Sequence, residues 1–282
     1  IVRLKPDEFY LVSAGAWTDY DADFLIKSAE DKSPEFGHIE IQDVTSQWGV
    51  FAVAGPKSRD FLSQLIRDED QDTALSNARF PWLSCKRVEL GMCPVNAIRV
   101  SYTGELGWEL HHPIEMQNYL FDLLQSAGAS YEFKWVGARA QNWLRQEKSY
   151  RAFGTELGRD ATPLEADLPR FVDMSKDFNG KLQMEAMGIR SKCVTFLIDG
   201  PEDADPWGRE ALYTEDGTER VGRLTSGGYS VVFEKSIGMG YVKPSYAIEG
   251  TKLKVRIQNA LWDAVVTSDS PYDPKNEKLR NG

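Results

Sequence analysis

The spacing of apolar residues divides the chain into a first part that mixes helices with strands and a second part of short strands. Apolar residues recur at helical spacing after Gly55-Pro56 and again over residues 114–126. Residues 96–102 alternate as a strand does. A third helix is predicted to start near Val136, with three residues directed toward the core: Ala140, Trp143 and Leu144. This order indicates helices packed on an antiparallel sheet.

The second part follows a segment rich in glycine, proline and charge, residues 154–192, which predicts an irregular connection. Five short stretches after it are predicted to be strands: 193–198, 221–230, 237–242, 252–257 and 262–267. Turn signals include Gly227-Gly228, for which a tight turn between barrel strands is the simplest interpretation. We therefore predict an α+β fold, with a region over residues 1–190 and a small antiparallel β-barrel or jelly-roll-like domain over residues 191–282.

One stretch combines an aromatic ring and a carboxylate around a turn that contains two glycines. Residues 97–102 are predicted to form one strand, 103–107 the turn and 108–112 the return strand. This hairpin would bring Tyr102 and Glu109 close together. A carboxylate has two acceptor oxygens, which can take paired N–H donors from the edge of a heterocycle such as a pterin. Without further support, such a pair is more often simply exposed.

The stretch from Ser101 to Leu110, Ser-Tyr-Thr-Gly-Glu-Leu-Gly-Trp-Glu-Leu, resembles the SYTGExGWEL motif of the glycine-cleavage T-protein family, whose members bind tetrahydrofolate. Three further blocks agree with that family in the same order along the chain: 43–45 running into 53–59, 137–139 through 144–148, and 224–230. The resemblance extends from residue 1 to about residue 275 and depends on all four blocks, since a single motif match is weak. It implies two interleaved ferredoxin-like, folate-binding lobes ahead of the barrel.

Three other blocks are most similar to the carboxyl-terminal half of dimethylglycine and sarcosine dehydrogenases and oxidases: 153–157, 162–166 and 270–274. In those enzymes a flavin domain precedes the folate domain. We therefore expect FAD only in an upstream domain or in a partner oxidoreductase subunit. Because the chain begins with Ile1 in what is predicted to be the middle of a strand, we expect it to be a piece of a longer polypeptide.

The resemblance implies roles for three residues of this chain. It places Glu109 at the pterin edge, Tyr102 in the ring pocket and Arg139 at the glutamate tail of folate. The planar guanidinium fork of arginine matches a carboxylate in two-point geometry, although most arginines are surface groups or structural ion-pair partners. Three neighbouring charged residues are expected to be internal salt-bridge partners: Arg145, Glu147 and Lys148.

No catalytic acid can be assigned within this chain. The resemblance implies an aspartate that assists chemistry at the folate nitrogen, and its matching position is expected upstream of Ile1. Four aspartates lie in predicted loops, and their spacing selects none of them as a replacement: Asp7, Asp19, Asp21 and Asp43. Glu165 could act near the ligand channel, but its spacing does not require such a role.

Composition limits the partners further. The formal net charge of −10 argues against nucleic acid or an anionic membrane surface as a partner. We expect no signal peptide, and there is no apolar run long enough to span a bilayer. The three cysteines and three histidines lack the spacing of a metal site. Unpaired cysteines suit a reducing compartment, either the cytoplasm or, in a eukaryote, the mitochondrial matrix.

These observations together predict tetrahydrofolate-dependent one-carbon transfer. The chain would accept a one-carbon unit from an oxidised N-methyl amine or an aminomethyl donor and form 5,10-methylenetetrahydrofolate. The substrate would then be a small methylamine-type molecule. Two alternatives stay open at this point: a folate-dependent O- or S-demethylase with the same fold, and a folate-binding or regulatory module without catalysis.

Overall fold

The computed structural model describes residues 1–67, 71–201 and 203–281. The helices within these ranges are α1 (Thr18–Phe36), α2 (Ser58–Ser63), α3 (Gln117–Gly128), α4 (Ala138–Glu147), α5 (Lys181–Met187) and α6 (Glu277–Asn281). The strands are β1 (Val2–Lys5), β2 (Glu8–Tyr10), β3 (Trp48–Ala54), β4 (Cys85–Leu90), β5 (Cys93–Ile98), β6 (Gly107–Pro113), β7 (Lys192–Asp199), β8 (Ala211–Thr214), β9 (Arg220–Ser230), β10 (Lys235–Val242), β11 (Lys252–Ile257) and β12 (Ala260–Val266).

The chain forms two compact units. The first, called here the sheet unit, comprises Ile1–Ser101, Leu106–Lys134 and Arg280–Gly282. The second, called the barrel unit, comprises Tyr102–Glu105 and Trp135–Leu279. The short segment from Tyr102 therefore belongs to a different unit from the strands on either side of it. The predicted division into a region over 1–190 and a domain over 191–282 stays a prediction.

The sheet unit is built on a four-stranded antiparallel sheet with the strand order β3-β6-β5-β4. Helices α2 and α3 pack on one face of it, burying Phe61, Leu62, Leu120 and Leu124 among the apolar side chains of the strands. Burying such a side chain contributes about 1.5–3 kcal/mol, so these few residues account for much of the stability of the unit. Both helices were predicted from their apolar spacing and are confirmed.

Helix α1 was not predicted, because its apolar residues lack a single inward face. Of its nineteen residues only Ala29 is buried. Asp19 and Asp21 lie in its first turn, where the helix dipole favours negative charge. The assignment of these two aspartates to loops was therefore wrong.

The predicted strand over residues 97–102 is also corrected, since β5 ends at Ile98. The Val100 N–H donates to the Ile98 carbonyl in a local turn (3.0 Å) instead of to a neighbouring strand. The Arg99 guanidinium is buried and donates to the Phe80 carbonyl at 2.7 Å. This anchoring turns the backbone out of the sheet before it reaches Tyr102.

The barrel unit contains a closed six-stranded antiparallel barrel with the strand order β10-β7-β12-β11-β8-β9. Its interior is apolar and includes Phe196, Leu224 and Val255, each fully buried. The five predicted strands are confirmed, and β8 is an additional one. The α+β class and the antiparallel barrel are thus confirmed. Helix α5 lies within the segment that was predicted to be an irregular connection.

Gly227 and Gly228 do not form a turn, as was predicted, but lie inside β9. Their partners across the ladder are Gly238 and Ile237 on β10. A Cβ on Gly227 would meet the Pro206 carbonyl oxygen at 2.5 Å, and one on Gly228 would meet Trp143 Cδ1 at 2.1 Å. The glycines therefore serve close packing against the strand, and not the chain reversal that their sequence suggested.

The third predicted helix exists as α4, but its buried side chains are not the expected ones. Ala140 is exposed, and Trp143 and Leu144 are only half-buried. The fully buried residues are polar or charged and lie at the end of the helix and just after it: Arg145, Gln146, Glu147, Lys148 and Ser149. The apolar pattern failed here because polar groups with matched partners can replace apolar ones in a core.

Candidate functional site

Glu109 lies on β6, between Ala52 of β3 and Ile98 of β5. The alternation of the strand points Trp108 and Leu110 into the apolar core, so Glu109 lies on the opposite face of the sheet. Its side chain is 39% exposed. The sheet therefore presents a carboxylate on a rigid strand with part of its surface open to solvent.

A buried histidine contacts this carboxylate. His111 follows Glu109 by two residues on the same face, and its Nε2 lies 3.2 Å from Glu109 Oε2. The other ring nitrogen, Nδ1, lies 3.1 Å from the Tyr10 hydroxyl. Burial, with smaller contributions from Glu109 and Cys85, raises the pKa of Tyr10. The hydroxyl of Tyr10 therefore remains protonated across the neutral range.

Tyr102 lies in the barrel unit and stacks on Tyr150. Their ring centroids are 6.2 Å apart and their planes differ by 17°. Burial is the main cause that raises the pKa of both hydroxyls, so both rings stay neutral. Tyr102 is nevertheless 37% exposed. The pair thus forms an aromatic wall with an accessible side, which suits stacking against a flat heterocycle.

The turn that carries Tyr102 rests on a buried lysine. Gly104 has φ +84°, and a Cβ there would meet Lys148 Cγ at 2.2 Å, so only glycine suits this position. The Lys148 ammonium donates to the carbonyls of Tyr272 and Asp273 and to Asn276 Oδ1 (2.9, 2.7 and 2.8 Å). Burial lowers the pKa of this lysine, against the opposing effect of nearby carboxylates.

Arg139 lies in the first turn of α4 with its guanidinium between two indole rings. Its Cζ is 5.0 Å from the Trp143 ring centroid and 5.6 Å from that of Trp207. One long contact to Asp205 Oδ2, at 3.4 Å, accompanies these, and the side chain remains 64% exposed. Arg139 also lines a cleft of about 480 Å³ in the barrel unit. Two indole faces hold the planar cation in place, and three acidic residues line the same cleft: Asp203, Asp205 and Glu210.

Buried polar residues at the end of α4 hold the backbone of Tyr150, which forms the aromatic wall with Tyr102. Arg145 donates to Glu156 Oε2 at 2.9 Å, to Ser226 Oγ at 2.6 Å and to the Tyr150 carbonyl at 2.7 Å. Burial alone would raise the pKa of Glu156, but Arg145 and hydrogen bonds from Ser226, Ala152 and Thr225 together lower it. Both charged groups are almost fully buried.

Three residues were expected to be internal salt-bridge partners, and among the described residues only Arg145 forms such a pair. Its partner is Glu156. Glu147 accepts a hydrogen bond from the Ser230 hydroxyl, and Lys148 donates to two carbonyls and an amide oxygen. Glu165 has its own partner, since Arg190 donates to both of its carboxylate oxygens. This pairing makes Glu165 a structural group.

The hairpin that was expected to bring Tyr102 and Glu109 together as strand neighbours does not form. Ala52 and Ile98 occupy the positions beside Glu109, and β5 ends at Ile98, before Tyr102. The sequence analysis also missed four groups that support the predicted residues: Tyr10, His111, Trp143 and Tyr150. Trp143 follows Arg139 by four residues, one helical turn, which is a signal that the sequence does contain.

Each of the three residues selected by the motif offers one kind of contact within its own unit. The sheet unit presents the Glu109 carboxylate, and the barrel unit presents the Tyr102 ring and the Arg139 guanidinium. Within residues 1–67, 71–201 and 203–281, no group of three or more histidine, cysteine or acidic side chains could hold a metal ion. No helix of the described chain is long and apolar enough to cross a membrane.

Comparison with known families identifies two matching profiles. The GCVT N-terminal domain matches residues 1–176, and the glycine cleavage T-protein C-terminal barrel domain matches residues 192–273. The crystal structure of the glycine cleavage system aminomethyltransferase T from Bartonella henselae superposes with a TM-score of 0.72, covering 92% of this chain and 67% of that one. At 23% identity this similarity establishes a shared fold.

Two relatives show how the chain is related to longer proteins. It is 35% identical over 273 residues to the mitochondrial dimethylglycine dehydrogenase of Homo sapiens. The aligned region covers 94% of this chain but only 30% of that relative. It is 34% identical over 245 residues to an aminomethyltransferase of Caldanaerobacter subterraneus subsp. tengcongensis, covering 85% of this chain and 62% of the relative. The chain therefore spans less than a third of the dehydrogenase, and the resemblance found in its motifs is confirmed.

Proposed function

Because this chain belongs to the glycine-cleavage T-protein family, we propose that it binds tetrahydrofolate and transfers a one-carbon unit to it. The donor would be an oxidised N-methyl amine or an aminomethyl carrier, and the product 5,10-methylenetetrahydrofolate. The relatives are enzymes named as an aminomethyltransferase and a dimethylglycine dehydrogenase, which supports this reaction class. The observation that carries the proposal is the half-exposed carboxylate of Glu109, held on a strand by a buried histidine.

Glu109 would accept the paired N–H donors of the pterin edge. Its Oε2 already takes a hydrogen bond from His111, and the exposed part of the carboxylate is available to the ligand. A charge-assisted pair of this kind is stronger than a neutral hydrogen bond and fixes the orientation of the ring. In this proposal the carboxylate determines where the reactive nitrogen lies.

Tyr102 and Arg139 would act on the other two parts of the ligand. The accessible side of the Tyr102–Tyr150 stack would line the ring pocket. Arg139, clamped between Trp143 and Trp207, would bind the anionic tail in two-point geometry. This local cation matters because a chain with net charge −10 otherwise repels an anion.

Tetrahydrofolate, when bound, would supply the nucleophilic nitrogen that receives the one-carbon unit. The residues of this chain would contribute positioning, which can lower a barrier by about 7–11 kcal/mol when two reactants are held in reactive geometry. They would also exclude water from a reactive one-carbon electrophile. No described residue is assigned as the catalytic acid.

The donor side of the reaction would involve a flavin oxidoreductase. The chain covers 94% of its own length in the alignment with human dimethylglycine dehydrogenase but only 30% of that protein, so an oxidising domain or subunit would be separate from these residues. FAD would belong to that domain or subunit. The three free thiols and the mitochondrial relative support a reducing compartment, the cytoplasm or the mitochondrial matrix.

Isothermal titration calorimetry with 5-formyltetrahydrofolate, an oxidation-resistant reduced folate, tests the proposal. We expect micromolar binding that weakens at least about tenfold in Glu109→Gln, because a charge-assisted hydrogen bond contributes at least about 1.4 kcal/mol. Glu115→Gln is the matched control, since Glu115 is exposed on the turn that follows β6. Equal affinities of Glu109→Gln and the wild type would refute the pterin-edge assignment.

A second pair of variants tests the tail contact. Arg139→Ala should weaken binding of the folate but not of a pterin that lacks the glutamate tail. Arg256→Ala is its control, because Arg256 is also exposed and also lies over an aromatic ring, 4.8 Å from the centroid of Tyr213. If Arg139→Ala weakened both ligands equally, the arginine would not bind the tail.

A further inference from the structure

The carboxylate of Glu109 has a support that begins in the first strand pair of the chain. Tyr10 ends β2, and its ring lies edge-on to the His111 ring with centroids 5.4 Å apart. Trp48 lies against Tyr10 with ring centroids 6.1 Å apart. Together these rings leave His111 only 1% exposed, although it lies on the face of the sheet opposite the apolar core. The histidine is therefore enclosed by the residues that also fix its hydrogen bonds.

The hydrogen bonds of His111 determine where its proton lies. A carboxylate oxygen only accepts hydrogen bonds, so Nε2, at 3.2 Å from Glu109 Oε2, must carry the proton. In a neutral imidazole Nδ1 then has no proton. It accepts a hydrogen bond from the Tyr10 hydroxyl, at 3.1 Å. The opposite tautomer would direct two lone pairs at each other across the Glu109 contact. For a neutral ring, the hydrogen bonds from Tyr10 through His111 to Glu109 thus have one consistent direction of donation.

We propose that Tyr10 and His111 form a positioning pair that fixes the Glu109 carboxylate for its ligand. The pair would occupy one lone pair of Oε2 and leave Oε1 and the remaining lone pair for the two N–H donors of a pterin edge. His111 would not touch the ligand itself. This inference rests on the proposed function, because it assigns the support for the ligand-binding group of that site.

A buried histidine with two hydrogen-bond partners could also serve the sheet alone. The two roles differ in whether the effect of replacing His111 depends on the presence of Glu109. A structural histidine would lower stability without a link to the carboxylate, whereas a positioning histidine would affect ligand affinity only while Glu109 is present. The partners of His111 across the ladder, Val50 and Asn96, carry no charge.

The experiment is a double-mutant cycle read by calorimetric titration with 5-formyltetrahydrofolate. His111→Leu should weaken binding about tenfold in the wild-type background and less than about twofold in Glu109→Gln, as expected for residues coupled through one contact. His111→Gln, which keeps an N–H donor near the position of Nε2, should recover most of the affinity. His38→Gln, a change of an exposed histidine, is the control.

The nitrogen NMR shifts of His111 test directly the hydrogen bonds on which the positioning pair depends. Without ligand, the spectrum should show the neutral tautomer protonated at Nε2, and Tyr10→Phe should redistribute the proton between the two nitrogens. Binding by the wild type with equal loss from His111→Leu in both backgrounds, or an Nδ1-protonated ring, would overturn the positioning pair while leaving the proposed function intact. Absence of binding by the folded wild type would overturn the proposed function, and the positioning role with it.

Discussion

Helices α3 and α4 are of similar length, twelve and ten residues, but they bury opposite kinds of side chain. In the sheet unit, α3 buries Leu120 and Leu124 in an apolar core. In the barrel unit, α4 buries Arg145, Gln146 and Glu147 against β9 and β10. Apolar burial is non-directional and depends on area, whereas each buried polar group requires a partner at the correct distance and angle.

The polar groups that require exact partners therefore lie next to residues of the candidate site. Arg145 holds the carbonyl of Tyr150, and the ring of Tyr150 stacks on Tyr102. A polar cluster with fixed donors and acceptors defines one arrangement more narrowly than interchangeable apolar contacts do. The polar end of α4 therefore positions the aromatic wall, while α3 mainly supplies stability.

The largest loss of stability should follow removal of one side of the Arg145–Glu156 pair. Glu156→Leu leaves a buried guanidinium without its carboxylate, and we expect the free energy of unfolding to fall by about 3–5 kcal/mol in urea titrations. Lys243→Ala, which removes a surface pair with Glu219, should cost less than about 1 kcal/mol. The double variant Arg145→Met, Glu156→Leu should regain much of the loss. If it does not, the unpaired charge is not the cause.

In the apolar region, Leu120→Ala should lower the free energy of unfolding by about 2–5 kcal/mol, because it leaves a cavity in the sheet unit. Leu120→Met should cost less than about 1.5 kcal/mol, since it nearly conserves volume. Leu182→Ala, at a position 76% exposed, is the control. Thermal or urea unfolding measures all three. If Leu120→Met lost as much stability as Leu120→Ala, this apolar core would not tolerate a change that nearly conserves volume.

Gly228→Ala tests the close packing between β9 and α4. The new methyl group would overlap Trp143, and we expect a loss of about 1–3 kcal/mol in the free energy of unfolding. Gly158→Ala is the matched control, because a Cβ there meets no atom within 4 Å. A Gly228→Ala variant as stable as the wild type would show that Trp143 moves aside without cost.

Glu165 should contribute to stability in a way that depends on pH in the acid range. Hydrogen bonds from Arg190, together with backbone donors, lower the pKa of Glu165 to about 2, below its unfolded value of about 4.3. Its contribution to stability is thus present above about pH 4.3 and is lost as the pH falls toward 2. Urea titrations at pH 5 and pH 3 should show a smaller pH dependence for Glu165→Gln than for the wild type. Equal pH dependence of the free energy of unfolding in the two proteins would show that Glu165 does not contribute to the loss of stability in acid.

The sequence predicted those elements that are determined by apolar spacing. Helices α2 and α3 and five barrel strands follow from periodicity, because non-directional burial leaves a regular pattern. The polar burial of α4 leaves no such pattern. Arg145, Glu147 and Lys148 were expected to be salt-bridge partners, but Glu147 and Lys148 are held by hydrogen bonds to uncharged groups. Gly227-Gly228 suggested a turn because the sequence carries no information about the Trp143 ring packed against it.

The candidate site was predictable only through its motif. Tyr102, Glu109 and Arg139 were selected by resemblance, whereas Tyr10, His111 and Tyr150 become relevant only when the fold brings them to those residues. Tyr10 and His111 are separated by 101 positions in the chain. Contacts of that separation depend on strand pairing, which alternation alone does not specify.

A crystal structure of the chain with bound 5-formyltetrahydrofolate tests the central claim most directly. The account predicts the pterin N–H edge within hydrogen-bonding distance of the Glu109 carboxylate, the ring against Tyr102, and the tail carboxylate on Arg139. A reduced folate bound at another place, such as the cleft of about 630 Å³ lined by Phe171, Phe178 and Met184, with Glu109 uninvolved, would contradict it.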